Sequence, residues 1–332
     1  MDTTGRRVTV RHRLPRRDAG RGGPDRFADA VGQLVGGPAG AEVVRADGTR
    51  VRVRPDRVAA VRDILPTVAP PRVRVPDPAA DAAALDLLAA SHWPAVTDEP
   101  LGGWRLRAAG GFTRRANSAL VVGDPGTDVP AALGYVARWY RDRGLPARLS
   151  CTDPEVVAAA LQVGWSQELT TAVMTARVAD VLHALPDGWA GHGPRVRLDA
   201  EPSPAWLADQ RDAGTHPDGP GVLRAPPGTT GLFATAEPPA DAPAGSAVGL
   251  AGHGRGVVSD GWVGLSCLAV DPAFRRRGLG RVVVATLLDA ALDAGAVRAY
   301  LQVETADAGA VSFHRAVGFR HHHATVYLRP PA

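Results

Sequence analysis

Lysine is absent from the chain, so all 38 basic residues are arginine. Isoleucine and asparagine occur once each, as Ile64 and Asn117. GC-rich coding imposes such a bias before any chemistry is considered. Cys151 and Cys267 are the only cysteines, too few for a disulfide framework or a zinc cluster. Aromatics make up 5% of the residues, and the arginine-rich first 60 residues hold only Phe27, so stacking on nucleic-acid bases is poorly supplied and nucleic acid is not an expected partner. No apolar run approaches the roughly 20 residues of a membrane helix, and residues 1–13 carry no apolar signal-peptide core. No membrane partner is expected, and a reduced cytoplasm is the default compartment. The net charge of +4 over 332 residues is a mild excess that favours anionic ligands.

What is present reads as an α/β (α+β) chain of three regions, long enough for each to bury a core. Residues 1–66 alternate as short strands, with a hairpin over 43–53 turning at Asp47-Gly48, and predict a small SH3-like β-barrel. Five prolines in 66–78 make a linker. Residues 79–178 predict a helix at 82–91, strands at 104–108 and 118–122, a helix at 131–143, a strand at 147–152, a helix at 154–163 and a strand at 168–176. In 190–332, a loose Pro/Gly-rich stretch over 214–228 precedes strands near 231–236, 247–252 and 262–270. A helix over 281–294 follows, with Val284, Leu287, Leu288, Ala291 and Leu292 on one face. A strand (298–303), a helix (308–317) and a final strand through Tyr327 end the pattern.

These last two regions share a spacing. Asp153 stands eleven residues before Gly164, which Trp165 follows; Asp307 stands eleven residues before Gly318, which Phe319 follows. The common order helix, strand, helix, Gly-aromatic, strand reads as a divergent duplication.

The segment 267–292, CLAVDPAFRRRGLGRVVVATLLDAAL, carries the chemistry. A strand ends at Val270, Asp271-Pro272 turns the chain, and Arg275-Arg276-Arg277-Gly278-Leu279-Gly280-Arg281 opens a helix. The first amides of a helix have no internal partner, and its dipole adds positive potential there. Two glycines allow close backbone approach, and the arginines supply phosphate donors. A pyrophosphate fits such a cradle.

Here the chain resembles the GNAT superfamily of N-acetyltransferases, whose cofactor loop Arg/Gln-x-x-Gly-x-Gly/Ala is matched by Arg275, Gly278 and Gly280. The likeness continues through Asp307, Ala310, Phe313, His314, Gly318 and Phe319. It implies acetyl-CoA as co-substrate, bound by Leu268, Ala269 and Val270 along the pantetheine arm and by Arg275–Arg281, Asp307 and Phe313, with transfer to a primary amine of a small molecule or peptide. Two positions depart from the family. Asp307 replaces an asparagine and is also a good helix N-cap. His314 replaces the tyrosine assigned as proton donor to the departing thiolate, a role open to an imidazole.

Arg17–Gly22 fits the same short pattern, but no long amphipathic helix follows, so it reads as a solvated loop. In the second region the equivalent loop falls at 121–126, VVGDPG, without arginine and with Asp124. That region is expected to be a degenerate GNAT-like half beside an active one, a tandem arrangement resembling an actinobacterial subfamily. For the general base, Glu304 and Asp260 are the nearby acids. Cys267 reads as a packed side chain. His321-His322-His323 are not expected to converge on a metal, because neighbours on a strand point to opposite faces. Two alternatives stand: a non-catalytic acyl-CoA-binding or regulatory protein, motivated by His314 and the missing base, and a mycothiol-synthase-like acetyltransferase, against which the N-terminal barrel counts.

Overall fold

The computed structural model describes residues 7–13, 27–35, 41–44, 50–63, 81–184, 196–210, 216–238 and 249–331. The chain divides into two compact units, Met1–Val73 and Arg74–Ala332. In the first, β1 (Arg7–Arg13), β2 (Phe27–Val35), β3 (Ala41–Val44), β4 (Arg50–Val53) and β5 (Val58–Asp63) form an antiparallel sheet in the order β4-β3-β2-β1-β5. Val10, Ala30, Val43 and Val53 bury together as its core. The expected hairpin strands are present and pair Val43↔Val51 and Val44↔Arg50. Asp47-Gly48, the loop Arg17–Gly22 and the proline-rich 66–78 lie outside the described residues.

The second unit runs α1 (Ala82–His92), β6 (Thr97–Leu101), β7 (Trp104–Ala108), β8 (Ala119–Val121), α2 (Val129–Arg141), β9 (Leu149–Cys151), α3 (Pro154–Gln162), β10 (Ser166–Arg177) and α4 (Val178–His183). It continues as β11 (Val196–Asp199), α5 (Pro204–Ala208), α6 (Gly219–Leu223), β12 (Thr230–Ala236), β13 (Gly252–Ser259), β14 (Trp262–Val270), α7 (Leu279–Asp293), β15 (Arg298–Glu304), α8 (Ala308–Ala316) and β16 (Arg320–Arg329). Eleven strands make one sheet, β11-β12-β13-β14-β15-β10-β16-β9-β8-β7-β6. Parallel pairing occurs at β14–β15 and at β8–β9.

This order shows an exchange. β10, which closes the first half of the sequence, lies against β15 of the second, while β16 lies against β9 of the first. Burial follows the exchange. Ala172 and Met174 enter the core under α7, and Leu328 enters the core formed by Trp104, Trp139 and Leu149. The duplicated spacing becomes duplicated geometry: Asp153 and Asp307 cap α3 and α8, and Gly164 (φ 88°) and Gly318 (φ 110°) end them in the left-handed region.

Several elements differ from the sequence reading. The strand expected at 247–252 lies at Gly252–Ser259; its glycines hid it, yet a Cβ at Gly254 would come within 3.0 Å of Leu268, Leu287 and Val283, so α7 packs on bare backbone there. A short helix, α6, occupies part of the stretch expected to be loose. β6 carries Pro100 and is accordingly an edge strand. On α7, Leu279 and Val283 join the buried face, and Leu292 stands 42% exposed. Leu287→Ala should therefore cost about 3 kcal/mol and Leu292→Ala less than about 1 kcal/mol in urea unfolding. Equal losses would put the helix in the wrong rotation. A bulge in β16, where Val173 and Met174 face His323 and His321, turns two of the three histidines together: His322 and His323 approach at 2.6 Å between Nδ1 atoms, and His323 Nε2 reaches Asp86 at 3.1 Å. Among the described residues no group of three ligating side chains is placed to hold a metal, and no helix is long and apolar enough to cross a membrane.

Candidate functional site

β14 delivers the chain to the start of α7. Asp271 Oδ1 accepts from Ala273 N (2.8 Å) in a single 3-10 turn, and Arg275 Nε returns to Val270 O (3.0 Å). Arg276 (φ 62°) and Gly278 (φ 84°) are left-handed, which folds the loop back over the helix end. The first amides to bond into α7 are those of Arg281 and Val282, both to Gly278 O (2.9 and 3.2 Å). The amides of Gly278, Leu279 and Gly280 precede them without a carbonyl partner among the described residues.

The other long helices do not leave this end open. α1, α2, α3 and α8 are capped by the side chains of Asp81, Asp128, Asp153 and Asp307, whereas α7 has no side-chain cap. Residues 275–278 and Arg281 are exposed, and a Cβ at Gly278 would meet nothing within 4 Å. The N-terminus of α7 is thus open, uncapped and ringed by arginine. Gly280 sits below it against Phe313 and Val270, 3.4–3.5 Å from where its Cβ would be. Leu279 turns its side chain into the core and offers only its amide. Asp307 is occupied as the α8 cap, accepting from Ala310 N at 2.8 Å.

The equivalent loop of the first half is closed. Asp124 Oδ1 accepts from Gly126 N (2.7 Å), Asp128 Oδ1 caps α2 through Ala131 N (2.8 Å), and Pro130 removes another amide. Two carboxylates stand where α7 has arginines.

Beside the open helix end the sheet splays. β14 and β15 pair from Trp262↔Arg298 to Leu265↔Leu301, and Ser266–Val270 continue on β13 alone. Across β13 the register slips between His253 and Arg255, and Cys267 takes φ 51°. A left-handed non-glycine costs about 1 kcal/mol or more, and His253 holds this one, with Nδ1 2.7 Å from Cys267 O. His253 Nε2 lies 3.0 Å from Asp209; burial lowers the His253 pKa against the pull of that carboxylate. Leu268, Ala269 and Val270 form the free edge of the split, and burial raises the Cys267 thiol above its usual range. Cys267 is not an activated nucleophile.

The face opposite α7 holds residues that the linear sequence does not connect. His92 Nε2 bonds Ser259 Oγ (2.8 Å) and its Nδ1 lies 3.0 Å from Tyr300 Oη. Burial and the nearby Arg255 push His92 down to about 4. Arg255 is itself buried and lowered to about 10 by desolvation. Partners 163 to 208 residues apart leave no local signal to read.

The two expected catalytic residues differ in placement. Glu304 ends β15 at the splayed edge, with Oε1 3.0 Å from Arg114 Nη1. His314 is buried between Phe313 and Phe319, its Nδ1 has no partner, and burial lowers it to about 4. Its apolar surroundings favour the neutral imidazole and so disfavour storing a proton there for a leaving thiolate.

The family model described as "Probable histone acetyltransferase Rv0428c C-terminal" matches residues 79–328, and that for the "Rv0428c N-terminal Sm-like domain" matches 3–62. The five-stranded first unit is the small β-domain expected there. The Mycobacterium tuberculosis protein "Probable histone acetyltransferase Rv0428c" is 32% identical over 98% of this chain and 94% of its own length. The "Uncharacterized N-acetyltransferase YobR" of Bacillus subtilis is 28% identical over 71% of this chain and 93% of its own. Among solved structures, a GCN5-related N-acetyltransferase from Kribbella flavida shares the fold with a TM-score of 0.52 at 17% identity, covering 76% of this chain and 96% of that one.

Proposed function

We propose that this chain, which belongs to the Rv0428c family of GNAT acyltransferases, moves an acetyl group from acetyl-CoA to a primary amine. The observation that carries this reading is the N-terminus of α7: uncapped where the other long helices are capped, open to solvent and bordered by Arg275, Arg276, Arg277 and Arg281. Its unpartnered amides and its bare Gly278 suit a pyrophosphate, the donor set that an anion at a helix start requires. The co-substrate supplies an activated acetyl thioester, which a neutral amine converts to an amide with release of the CoA thiol.

The residues of the chain divide the remaining work. Ser266–Val270, unpaired on the β15 side, offer main-chain groups to the pantetheine arm, and Phe313 backs the loop. The Cys267 bulge turns backbone toward the split, where an amide can face a polarised carbonyl oxygen. Glu304 at the splayed edge is the proposed base for the incoming ammonium, acting directly or through one water. His314 stays neutral, and the thiolate takes its proton from solvent. His314→Phe should therefore change turnover by less than about threefold; a loss above about 100-fold in kcat, with unchanged acetyl-CoA affinity, would restore His314 as the acid. The M. tuberculosis relative's name would make a histone lysine the acceptor.

Calorimetry tests the binding half of the proposal. One acetyl-CoA per chain is expected, because the first-half loop is capped by its own aspartates. A stoichiometry of two would show that loop to be competent, and none would remove the reading.

A further inference from the structure

Three arginines gather on one tryptophan at the end of α1. Arg115 Cζ lies 4.8 Å and Arg255 Cζ 5.0 Å from the Trp93 ring, and Arg107 Nη2 donates to the Trp93 carbonyl. Arg255 is 1% and Arg107 3% exposed. Among the described residues none of the three forms an ion pair with a carboxylate, a costly state for buried cations. Part of that cost is offset. Arg255 donates to the carbonyls of Leu223 (2.7 Å), Arg224 (3.1 Å) and His92 (2.9 Å), and Arg107 to those of Ala90 and Trp93, at the C-terminal ends of α6 and α1. A helix end supplies about half a charge, so the group remains positive.

Tying down helix ends accounts for Arg255 and Arg107 but not for Arg115. Arg115 is half-buried, and among the described residues its guanidinium makes only the ring contact. It shares the Trp93 ring with Arg255, and its charge acts on Cys267 and Tyr300. Arg255 leads to the same place: it pairs in register with Ser266, one residue before Cys267, and its Nη1 is 3.3 Å from Ser266 Oγ. The positive group therefore borders the side of the split from which an amine must approach.

We propose that the acceptor amine carries a carboxylate, which Arg115 takes with its free guanidinium fork while the Trp93 ring holds that fork in place. This rests on the acyl-transfer reading and names its substrate class, an amino-acid-like amine. A lysine-rich peptide would meet like charge at the same wall.

CoA release is measured for the full-length protein with five kinds of amine: free amino acids, their dipeptides, their amides, the decarboxylated amines and a lysine-rich peptide. Free amino acids or dipeptides should have kcat/KM at least about tenfold above the amides and decarboxylated amines, and which of the two wins identifies the source of the carboxylate. Arg115→Gln should raise KM for the carboxylate-bearing acceptor about 10- to 100-fold, with kcat within about threefold. It should leave the decarboxylated amine and the calorimetric affinity for acetyl-CoA unchanged, and Arg115→Lys should fall between the two. Equal or better use of decarboxylated amines, preference for the basic peptide, or an equal effect of Arg115→Gln on all acceptors overturns the proposal and leaves acyl transfer standing. No release with any amine, together with no acetyl-CoA binding, overturns the acyl-transfer reading itself.

Discussion

Gly278→Val should weaken acetyl-CoA binding by more than about 100-fold while the protein stays folded. Two effects combine. Gly278 caps α7 at φ 84°, a region in which a β-branched residue is strained, so the loop from Arg275 must reshape and its amides lose their common aim. The space beyond the missing Cβ is also empty to 4 Å, so the valine occupies the volume reserved for the anion instead of pressing on the core. Losing two charge-assisted bonds of about 2 kcal/mol each accounts for the expected factor. The same substitution should cost only about 1–2 kcal/mol of stability. Calorimetry and urea unfolding of one preparation separate the two. Retained affinity would mean that the anion does not sit on this helix end.

Acid should destabilise the protein steeply between pH 6.5 and 4. His92 and His314 are both buried, and desolvation lowers each from 6.5 to about 4. In that window the unfolded chain binds protons that the folded chain refuses. Stability is therefore complete above pH 6.5 and declines as pH falls toward 4. A shift of this size is worth at most about 3 kcal/mol per histidine. The pair together approaches the whole stability of a typical domain. His314→Phe should flatten about half of the acid limb in urea unfolding followed by tryptophan fluorescence. At pH 7 it should be neutral or stabilising, since it removes a buried ring nitrogen without a partner. A flat profile from pH 6.5 to 4.5 in the unaltered protein would contradict these burials.

What the linear sequence revealed is what short-range physics controls. The turn after Val270, the glycines of the loop and the 3.6-residue pattern of α7 lie within 25 residues of one another. The duplicated spacing was visible because an aspartate cap and a left-handed glycine are local requirements at the two ends of one helix. Strand order was not visible. Nothing in β10 or β16 states which neighbour each will take, so the exchange between halves emerged only from the pairing of Thr171 with Glu304 and of Tyr327 with Ser150. β13 is hard to read because Gly254 and Gly256 weaken a strand signal, although α7 packs on the bare backbone of Gly254. His314 was found by its place in the family pattern, but the phenylalanines that keep it neutral act through packing. Arg255, His92 and Trp93 were missed altogether, because a residue on β13 and the end of α1 meet only in three dimensions.

A crystal structure with acetyl-CoA bound would test the central claim most directly. Pyrophosphate oxygens should lie within about 2.7–3.2 Å of the amides of Gly278, Leu279 and Gly280, with the pantetheine arm along Ser266–Val270. A pyrophosphate placed instead at residues 123–128, or away from both helix starts, would contradict the account.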